Sequence, residues 1–422
     1  SPENLVRGAY SRFSTREIVF FLRVRNLPIS GTTAELVSRL VNHDLHTYHF
    51  PRARSSSPPL TSCPSSTSLS LSAPHVLPNL PVELIAEITD TLGDWELARA
   101  LGLPTSLPTP PEWVNASPSA IALLPGSLSL LRSPHVSLQD LEKDPPSPSA
   151  SAAASAVVRF GHVHVLDYLL AHQRRVFAVL FKPKPSSSDG DTIPTVASTH
   201  GRTAILAWYK HAFTAHPELV PPPARSAIEA AIDGASRGGS VAALDWWAGS
   251  AGTAFAYTES ALEHASAKGH IAVLEWWRAA HLADPEGVPL LVGRALDAAS
   301  SAGQVAVLAW WAASRLSYNY DRLSMLHASV AGRLDVLDWW LASGLQVMYD
   351  GDVLVGATRH DRADVLEWWA RSGLRVEWRM CDIEEALEDA IGGGEGARAW
   401  WRARGVDFRA EDREWMKVQT LN

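Results

Sequence analysis

Pairs of adjacent tryptophans restrict the fold of this chain more than any other feature of its sequence. They occur in short, similar segments (LDWW, LEWW, LAWW, LDWW, LEWW and RAWW), each a few residues after a turn residue. Eight copies of the wider pattern begin, about 33 residues apart on average, at Gly161, Gly201, Gly239, Gly269, Gly303, Gly332, Asp361 and Gly393. Repetition at this period predicts an array of stacked units, each of which buries its apolar face against its neighbours.

The residues around each tryptophan pair fit an amphipathic helix. In one copy, Val336, Leu337, Trp339 and Trp340 fall within an arc of about 160° on a helical wheel, and Asp338 points away from it. A second helical run, rich in alanine, precedes each copy, so a neighbouring helix can approach closely. Each unit is therefore predicted to be a helix, a tight glycine turn, a second helix and a glycine cap. The cap glycines are Gly344, Gly373 and Gly405.

This unit resembles the ankyrin repeat, in about eight copies over residues 155–407. Ser324–Ser329 resembles that family's TPLHxA motif, Gly332 stands at its turn glycine, and Gly344 stands at the glycine that begins its return loop. The Thr-Pro that begins a typical repeat is absent, tryptophan replaces leucine, and Asp361 replaces one turn glycine. The resemblance implies a mostly α fold, an ankyrin-like helical-repeat solenoid with a surface that binds a protein partner. A C-terminal tail, 408–422, is expected to follow it.

The paired tryptophans are interpreted as packing, because both slots lie on the apolar arc and a platform for bases or sugars needs exposed ring faces. A groove for an aromatic or basic ligand remains the alternative. The predicted structural repeat core consists of Trp246, Trp247, Trp276, Trp277, Trp310, Trp311, Trp339, Trp340, Trp368, Trp369, Trp400 and Trp401. The acidic residues that precede the pairs are interpreted as solvent-facing side chains rather than catalytic carboxylates: Asp167, Asp245, Glu275, Asp338 and Glu367.

Residues 10–50 are predicted to form a small helical domain. Two capping boxes, at Ser14 with Glu17 and at Thr32 with Glu35, each precede an apolar run. The buried face of the second helix is predicted to be Leu36, Val37, Leu40 and Val41.

The segment from Asn26 to Leu40 resembles the GLxxSGxKxxLxxRL pattern of SAP domains, which commonly contact the DNA backbone. Thr33 stands where that family usually has lysine, and Asn26 stands where it has glycine. Residues 1–52 carry seven arginines and four acidic residues in a chain of net charge −8, so this head is locally basic. DNA binding and protein contact both remain open for it. The candidate DNA-backbone contacts are Arg23, Arg25, Ser30, Gly31 and Arg39.

A second module, at 79–142, follows a Ser/Pro-rich stretch at 51–78 that is predicted to be a disordered linker. Its beginning resembles the first half of an F-box, which docks onto the adaptor subunit of cullin-type ubiquitin ligases. The second half of that motif is missing, so a helix pair that caps the repeat array is the other interpretation. The candidate adaptor contacts are Leu80, Pro81, Leu84 and Ile88.

Composition and motifs predict a protein without catalytic activity. The two cysteines, Cys63 and Cys381, exclude a disulfide framework and favour the nucleus or cytoplasm over secretion. No apolar run approaches the ~18 residues of a membrane span. The common nucleophile, phosphate-binding and zinc motifs are absent, so no cofactor, metal or small-molecule substrate is expected. His162 and His270 occupy the turn slot, where we expect structural hydrogen bonds.

Three functions follow from these patterns. The leading one is a protein–protein interaction scaffold that uses the repeat surface. The alternatives are a substrate receptor of a cullin-type ubiquitin ligase, through the F-box-like motif, and a scaffold tethered to DNA or chromatin, through the SAP-like domain.

Overall fold

The computed structural model divides the chain into an N-terminal part, Ser1–Asn115, and a C-terminal part, Ala116–Asn422. The residues that it describes are 10, 15–24, 27–49, 81–182, 192–249, 254–406 and 416–421. Several sequence predictions lie outside the described residues: the linker at 51–78, the Ser14 cap and the Leu80 contact. The division at Asn115 falls within the segment 79–142 that the sequence suggested as one module.

The N-terminal part contains a helical hairpin and a second pair of helices. Its elements are α1 (Thr15–Val24), α2 (Thr33–His49), α3 (Val82–Leu92), α4 (Trp95–Ala100) and a 3₁₀ turn at Pro111–Trp113. The predicted capping box begins α2, because Thr32 N donates to Glu35 Oε2 at 2.8 Å and Glu35 N donates to Thr32 Oγ1 at 3.4 Å. The predicted face of α2 is buried against α1, in a cluster of Ile18, Phe21, Leu22, Leu36, Val37, Leu40 and Val41.

The C-terminal part begins with two short helices, α5 (Pro118–Leu123) and α6 (Leu128–Leu131), and a 3₁₀ turn at Leu138–Glu142. Eight helix pairs follow, which we number units 1 to 8. In each unit the first helix is named before the second. Unit 1 consists of α7 (Pro148–Arg159) and α8 (Val163–His172), unit 2 of α10 (Thr192–Thr199) and α11 (Thr203–Ala215), unit 3 of α12 (Arg225–Arg237) and α13 (Val241–Gly249), and unit 4 of α14 (Ser260–Lys268) and α15 (Ile271–Ala283). Unit 5 consists of α16 (Ala295–Ala302) and α17 (Val305–Ala313), unit 6 of α18 (Leu323–Ala331) and α19 (Leu334–Ala342), unit 7 of α20 (Asp352–Arg359) and α21 (Ala363–Arg371), and unit 8 of α22 (Met380–Glu388) and α23 (Glu395–Ala403). An extra helix, α9 (Arg174–Leu180), lies between units 1 and 2.

Each first helix packs against the first helix of the next unit, from α7 through to α22. Small side chains make this close approach possible, since alanines of the first helices are fully buried: Ala231, Ala235, Ala265, Ala299, Ala328 and Ala357. Second helices also contact their counterparts in neighbouring units, as α13 does with α15 and α17 with α19. The core is therefore repeated at every junction between units.

The turn residues of the units adopt the left-handed backbone conformation that the sequence pattern requires. Gly269, Gly303 and Gly332 have φ values of 79°, 81° and 71°. Asp361, which replaces a glycine, also has a positive φ of 53°, and its Oδ1 accepts a hydrogen bond of 2.6 Å from the backbone N–H of Ala397. That bond satisfies an N–H of the first turn of α23 and accounts for an aspartate at a glycine position.

The segment 408–422, which the sequence suggested as a C-terminal tail, contains a strand in its described part. Strand β2 (Val418–Leu421) pairs antiparallel with β1 (Val376–Arg379), in the connector before α22. The sequence did not predict either strand, because each has four residues and its partner lies about 40 residues away. Within the described parts of the chain, no helix is both long and apolar enough to cross a bilayer.

Candidate protein-interaction surface

The second tryptophan of each pair is buried and hydrogen-bonded to the preceding unit. Its Nε1 donates to a serine or threonine hydroxyl on the first helix of that unit, over 2.8–3.1 Å. The six donor–acceptor pairs are Trp247–Ser198, Trp277–Ser236, Trp311–Ser266, Trp340–Ser300, Trp369–Ser329 and Trp401–Thr358. Because both partners are buried, neither can turn to water, so each bond fixes how one unit sits on the next.

The acceptor hydroxyl always comes three residues before the turn residue of its unit, as Ser300 does before Gly303. Unit 1 has Val158 at this position, and the residue of unit 2 that takes the place of the second tryptophan is Tyr209. A serine or threonine thus stands at this position only in units whose next unit has a tryptophan in the second slot. The predicted packing role therefore fits the geometry of the second tryptophans.

The first tryptophan of each pair is only half-buried, whereas the second is buried. The sequence had assigned both slots to the repeat core. On the helical wheel the first tryptophan lies at one edge of the apolar arc. Its ring meets the ring of the second tryptophan edge-on, at centroid distances near 5 Å. The half-buried members of the predicted core are Trp246, Trp276, Trp310, Trp339, Trp368 and Trp400.

The acidic residues beside the pairs are acceptors for these half-buried tryptophans. The indole Nε1 donates to the carboxylate on the second helix of the preceding unit, over 2.6–3.0 Å. The pairs are Trp208–Asp167, Trp276–Asp245, Trp310–Glu275, Trp368–Asp338 and Trp400–Glu367. Trp246 and Trp339 have no carboxylate partner among the described residues. In the units that precede them, alanine stands at the position of the acidic residue, as Ala207 and Ala309.

These bonds change the acidity of two carboxylates. The hydrogen bond from Trp310 holds the pKa of Glu275 below its ordinary value, and the one from Trp400 does the same for the pKa of Glu367. Each of these two carboxylates accepts a hydrogen bond across one junction between units. Among the described residues there is no cluster of three metal-ligating side chains.

The side chain that follows the turn residue of a unit makes a hydrogen bond with a backbone carbonyl near the turn before it in the chain. His270 Nε2 lies 3.0 Å from the carbonyl oxygen of Arg237, and Arg202 Nε donates to the carbonyl of Arg159 at 2.6 Å. His162 Nε2 lies 3.1 Å from the carbonyl oxygen of Leu124, in the segment before unit 1. The two histidines of the turn slot thus make the structural hydrogen bonds expected of them.

Sequence reasoning missed the aromatic residues of the connectors, although Tyr257, Tyr320 and Tyr349 each stand 12 residues before the turn residue of their unit. Tyr257, Tyr320, Tyr349 and Trp378 each contact the second tryptophan of their own unit, at centroid distances of 4.4–5.2 Å. The hydroxyl of Tyr257 also donates to the carbonyl of Pro289 in the next connector. Burial raises the pKa of Tyr257 to about 12.

Acidic residues on the first helices also join neighbouring units. Asp233 accepts hydrogen bonds from the backbone N–H and the hydroxyl of Thr258, and Asp297 accepts one from the Ser324 hydroxyl. Burial raises the pKa of both Asp233 and Asp297, against the opposing effect of these hydrogen bonds.

The candidate DNA contacts of the N-terminal hairpin are only partly described. Arg39 donates to the carbonyls of Pro28 and Ser30, so its guanidinium braces the turn between α1 and α2. Ser30 and Gly31 are exposed in that turn. The side chain of Arg23 and the whole of Arg25 lie outside the described residues.

Helix α3, in the segment that resembles the start of an F-box, exposes apolar side chains and buries polar ones. Leu84, Ile88 and Leu92 are 41%, 47% and 66% exposed, although they are apolar and one helical turn apart. Glu83 and Thr89 are buried on another side of the helix. Pro81 precedes α3 as its N-cap residue.

No protein-family profile and no curated protein matches the sequence.

Proposed function

We propose that this chain is a non-enzymatic scaffold for protein–protein interaction, built on an ankyrin-like repeat solenoid in the C-terminal part. The observation that carries the proposal is the fixed stacking of units through buried Trp–Ser and Trp–Thr hydrogen bonds. A row of units held in register presents side chains at regular intervals over a long surface, which suits the recognition of another protein. By composition, we place its action in the nucleus or the cytoplasm.

The positions of the repeat motif support this proposal. Ser324–Ser329 lies on α18, Gly332 makes the following turn with φ 71°, and Gly344 follows α19 with φ 75°. This order of elements is the one that the resemblance to ankyrin repeats implies. The connectors differ from that family, since β1 and β2 are the only strands among the described residues.

Affinity capture with the full chain, followed by cross-linking and mass spectrometry, tests the scaffold. We expect at least one protein to be retained in excess over a bead control and to cross-link to residues 116–422. Capture of partners that cross-link only to residues 1–115, or no retention above the control, would contradict the proposal.

A second function, docking to the adaptor of a cullin-type ubiquitin ligase, has one specific observation in its favour. Leu84, Ile88 and Leu92 form an exposed apolar stripe on α3, in the segment that resembles the start of an F-box. Apolar side chains in such a stripe suit a partner that covers them. The missing second half of the motif makes this the weaker of the two proposals.

Binding of the purified adaptor subunit to the full chain, measured by calorimetry, separates this function from the first. Replacing Leu84 and Ile88 together with glutamate should abolish binding, while Leu282→Glu should not, because Leu282 is equally apolar and 64% exposed but lies on α15. Absence of binding by the unaltered chain removes this function and leaves the scaffold untouched.

A further inference from the structure

The half-buried tryptophans of the second helices are held rigidly. Trp368 contacts the ring of Trp369 edge-on, at 5.1 Å and 88°, and its Nε1 donates to Asp338 at 2.7 Å. Trp276 is fixed in the same way, by Trp277 and by a 2.7 Å hydrogen bond to Asp245. Each of these sites therefore offers a fixed indole ring beside a carboxylate, with little conformational entropy left to lose on binding.

In unit 8 the equivalent tryptophan–carboxylate pair contacts an arginine of the same chain. The guanidinium of Arg404 lies over the ring of Trp400, 4.5 Å from its centroid. Arg404 also donates at 3.0 Å to Glu367 Oε2, the oxygen that accepts the hydrogen bond from Trp400. A planar cation that stacks on an aromatic ring and donates to a carboxylate is a combination that arginine makes particularly well.

Two equivalent sites have no arginine at the corresponding position of the sequence. Arg404 comes four residues after the first tryptophan of its unit, and the corresponding residues are Ala280 in unit 4 and Ser372 in unit 7. Among the described residues, no basic side chain pairs with Asp245 or Asp338. Trp276 and Trp368 likewise have no cation over their rings within the described part of the chain.

Within their helical residues, the second helices of units 3 to 7 carry a net negative charge. From α13 to α21 the second helices carry six carboxylates, at Asp245, Glu275, Asp335, Asp338, Asp364 and Glu367, but only two arginines. Both arginines are already paired, Arg278 with Glu275 and Arg371 with Glu367. Asp364 adds a second carboxylate near Trp368, one helical turn earlier on the same face.

We propose that the second-helix row binds an extended basic segment of a partner protein, with arginine side chains seated on Trp276–Asp245 and Trp368–Asp338 as Arg404 is seated on Trp400–Glu367. This inference rests on the proposed scaffold function and names the chemistry of its partner. Neighbouring helices lie about 10 Å apart, so two sites three units apart suit arginines roughly nine residues apart in an extended chain.

A fluorescein-labelled octa-arginine peptide serves as the probe, with binding to the full chain followed by fluorescence anisotropy. Binding should weaken as salt is added, and octa-lysine should bind less tightly because an ammonium does not stack and donate together. Asp338→Asn should weaken octa-arginine binding by about threefold or more, the scale of one stacked, hydrogen-bonded cation. Glu286→Gln, an equal change of charge on an exposed connector residue, is the matched control.

A variant that is expected to bind the peptide more tightly distinguishes a change at the site from a loss of folding, because a misfolded chain would bind less. Arg404→Ala should free the Trp400–Glu367 site and tighten octa-arginine binding by about threefold. Arg402→Ala removes the same charge from an exposed residue of α23, which ends just before Arg404, and should change the affinity less. Trp368→Ala should weaken binding as Asp338→Asn does.

The proposal is overturned if charge alone decides the outcome. That result is equal binding by Asp338→Asn and Glu286→Gln, equal binding by Arg404→Ala and Arg402→Ala, or equal affinity for octa-lysine. Such an outcome would leave the scaffold function standing if the full chain still captures a protein that cross-links to residues 116–422. Failure of that capture, with the peptide results as expected, would instead count against the scaffold alone.

Discussion

The indole Nε1 of Trp340 donates a 3.0 Å hydrogen bond to the hydroxyl of Ser300, 40 residues earlier in the chain. Trp340 belongs to the second helix of unit 6 and Ser300 to the first helix of unit 5, and both are buried. The same relationship holds at six successive junctions. The bond therefore joins units as well as filling space, which a leucine at this position could not do.

Replacing Trp340 with alanine is expected to lower the free energy of unfolding by about 3–5 kcal/mol, because it empties a large buried site and leaves Ser300 without its donor. The neighbouring Trp339 is half-buried and has no carboxylate partner among the described residues, so Trp339→Ala should cost roughly half as much or less. Chemical denaturation of both variants, monitored by circular dichroism, gives the comparison. Equal losses would mean that the two slots are equivalent, as the helical wheel alone suggested.

The pKa of Glu275 offers a test of the second set of bonds. Trp310→Phe removes the N–H that stabilises the carboxylate, so the pKa of Glu275 should rise toward its ordinary value. A lowered folded-state pKa contributes stability above the unfolded-state value of about 4.3, and this contribution is lost as the pH falls through the folded-state pKa. The pKa is measured by NMR titration of the glutamate carboxyl. Trp339→Phe is the control and should leave the Glu275 titration unchanged.

DNA binding by the N-terminal hairpin stays a prediction. If it occurs, it should be weak, insensitive to sequence and steeply dependent on salt, because only a few arginines are available for phosphates. Changing Arg23, Arg25 and Arg39 together to glutamine should abolish the gel shift of the full chain. Arg39→Gln alone is the necessary control, because Arg39 also braces the turn at Pro28 and Ser30. Unchanged binding by the triple variant would contradict the predicted surface.

Protection from hydrogen exchange is expected to rise along the repeats. Units 1 and 2 carry Leu169 and Tyr209 in place of the second tryptophan, and Val158 replaces the acceptor hydroxyl in unit 1. From Trp247 onward each junction has the full bond, so amides of α12 to α21 should be better protected than those of α7 to α11. Mass-spectrometric exchange on the full chain resolves these segments. Uniform protection across the array would indicate one cooperative block.

The helix pairs and their turns could be predicted from the sequence because they depend on local periodicity and on glycines at fixed positions, such as Gly332 and Gly344. The Trp340–Ser300 bond was not predicted, because its partners are far apart in sequence and on different helices. A signal was nevertheless present, since a serine or threonine stands three residues before the turn residue wherever a tryptophan pair follows in the next unit. A wheel drawn for one helix cannot show that Trp368 is only half-buried while Trp369 is fully buried.

Strand β2 is a second feature that the sequence did not predict. Val418–Leu421 has no alternation long enough to stand out, and its pairing partner, Val376–Arg379, lies about 40 residues earlier in the sequence. The role of Asp361 had a visible cue, an aspartate at a glycine position, but its acceptor function toward Ala397 needs the neighbouring unit. Contacts between units, rather than features within them, were the information missing from the sequence.

The most direct test of the tryptophan junctions is a double-mutant cycle on Trp340 and Ser300, read as free energies of unfolding from chemical denaturation. Each single change, Trp340→Phe or Ser300→Ala, leaves one buried polar group without a partner and should cost about 1–3 kcal/mol in addition to any change in packing. The double variant leaves neither, so it should cost less than the sum of the two by about 1 kcal/mol or more. Strict additivity of the two single changes would contradict a bond that couples unit 5 to unit 6.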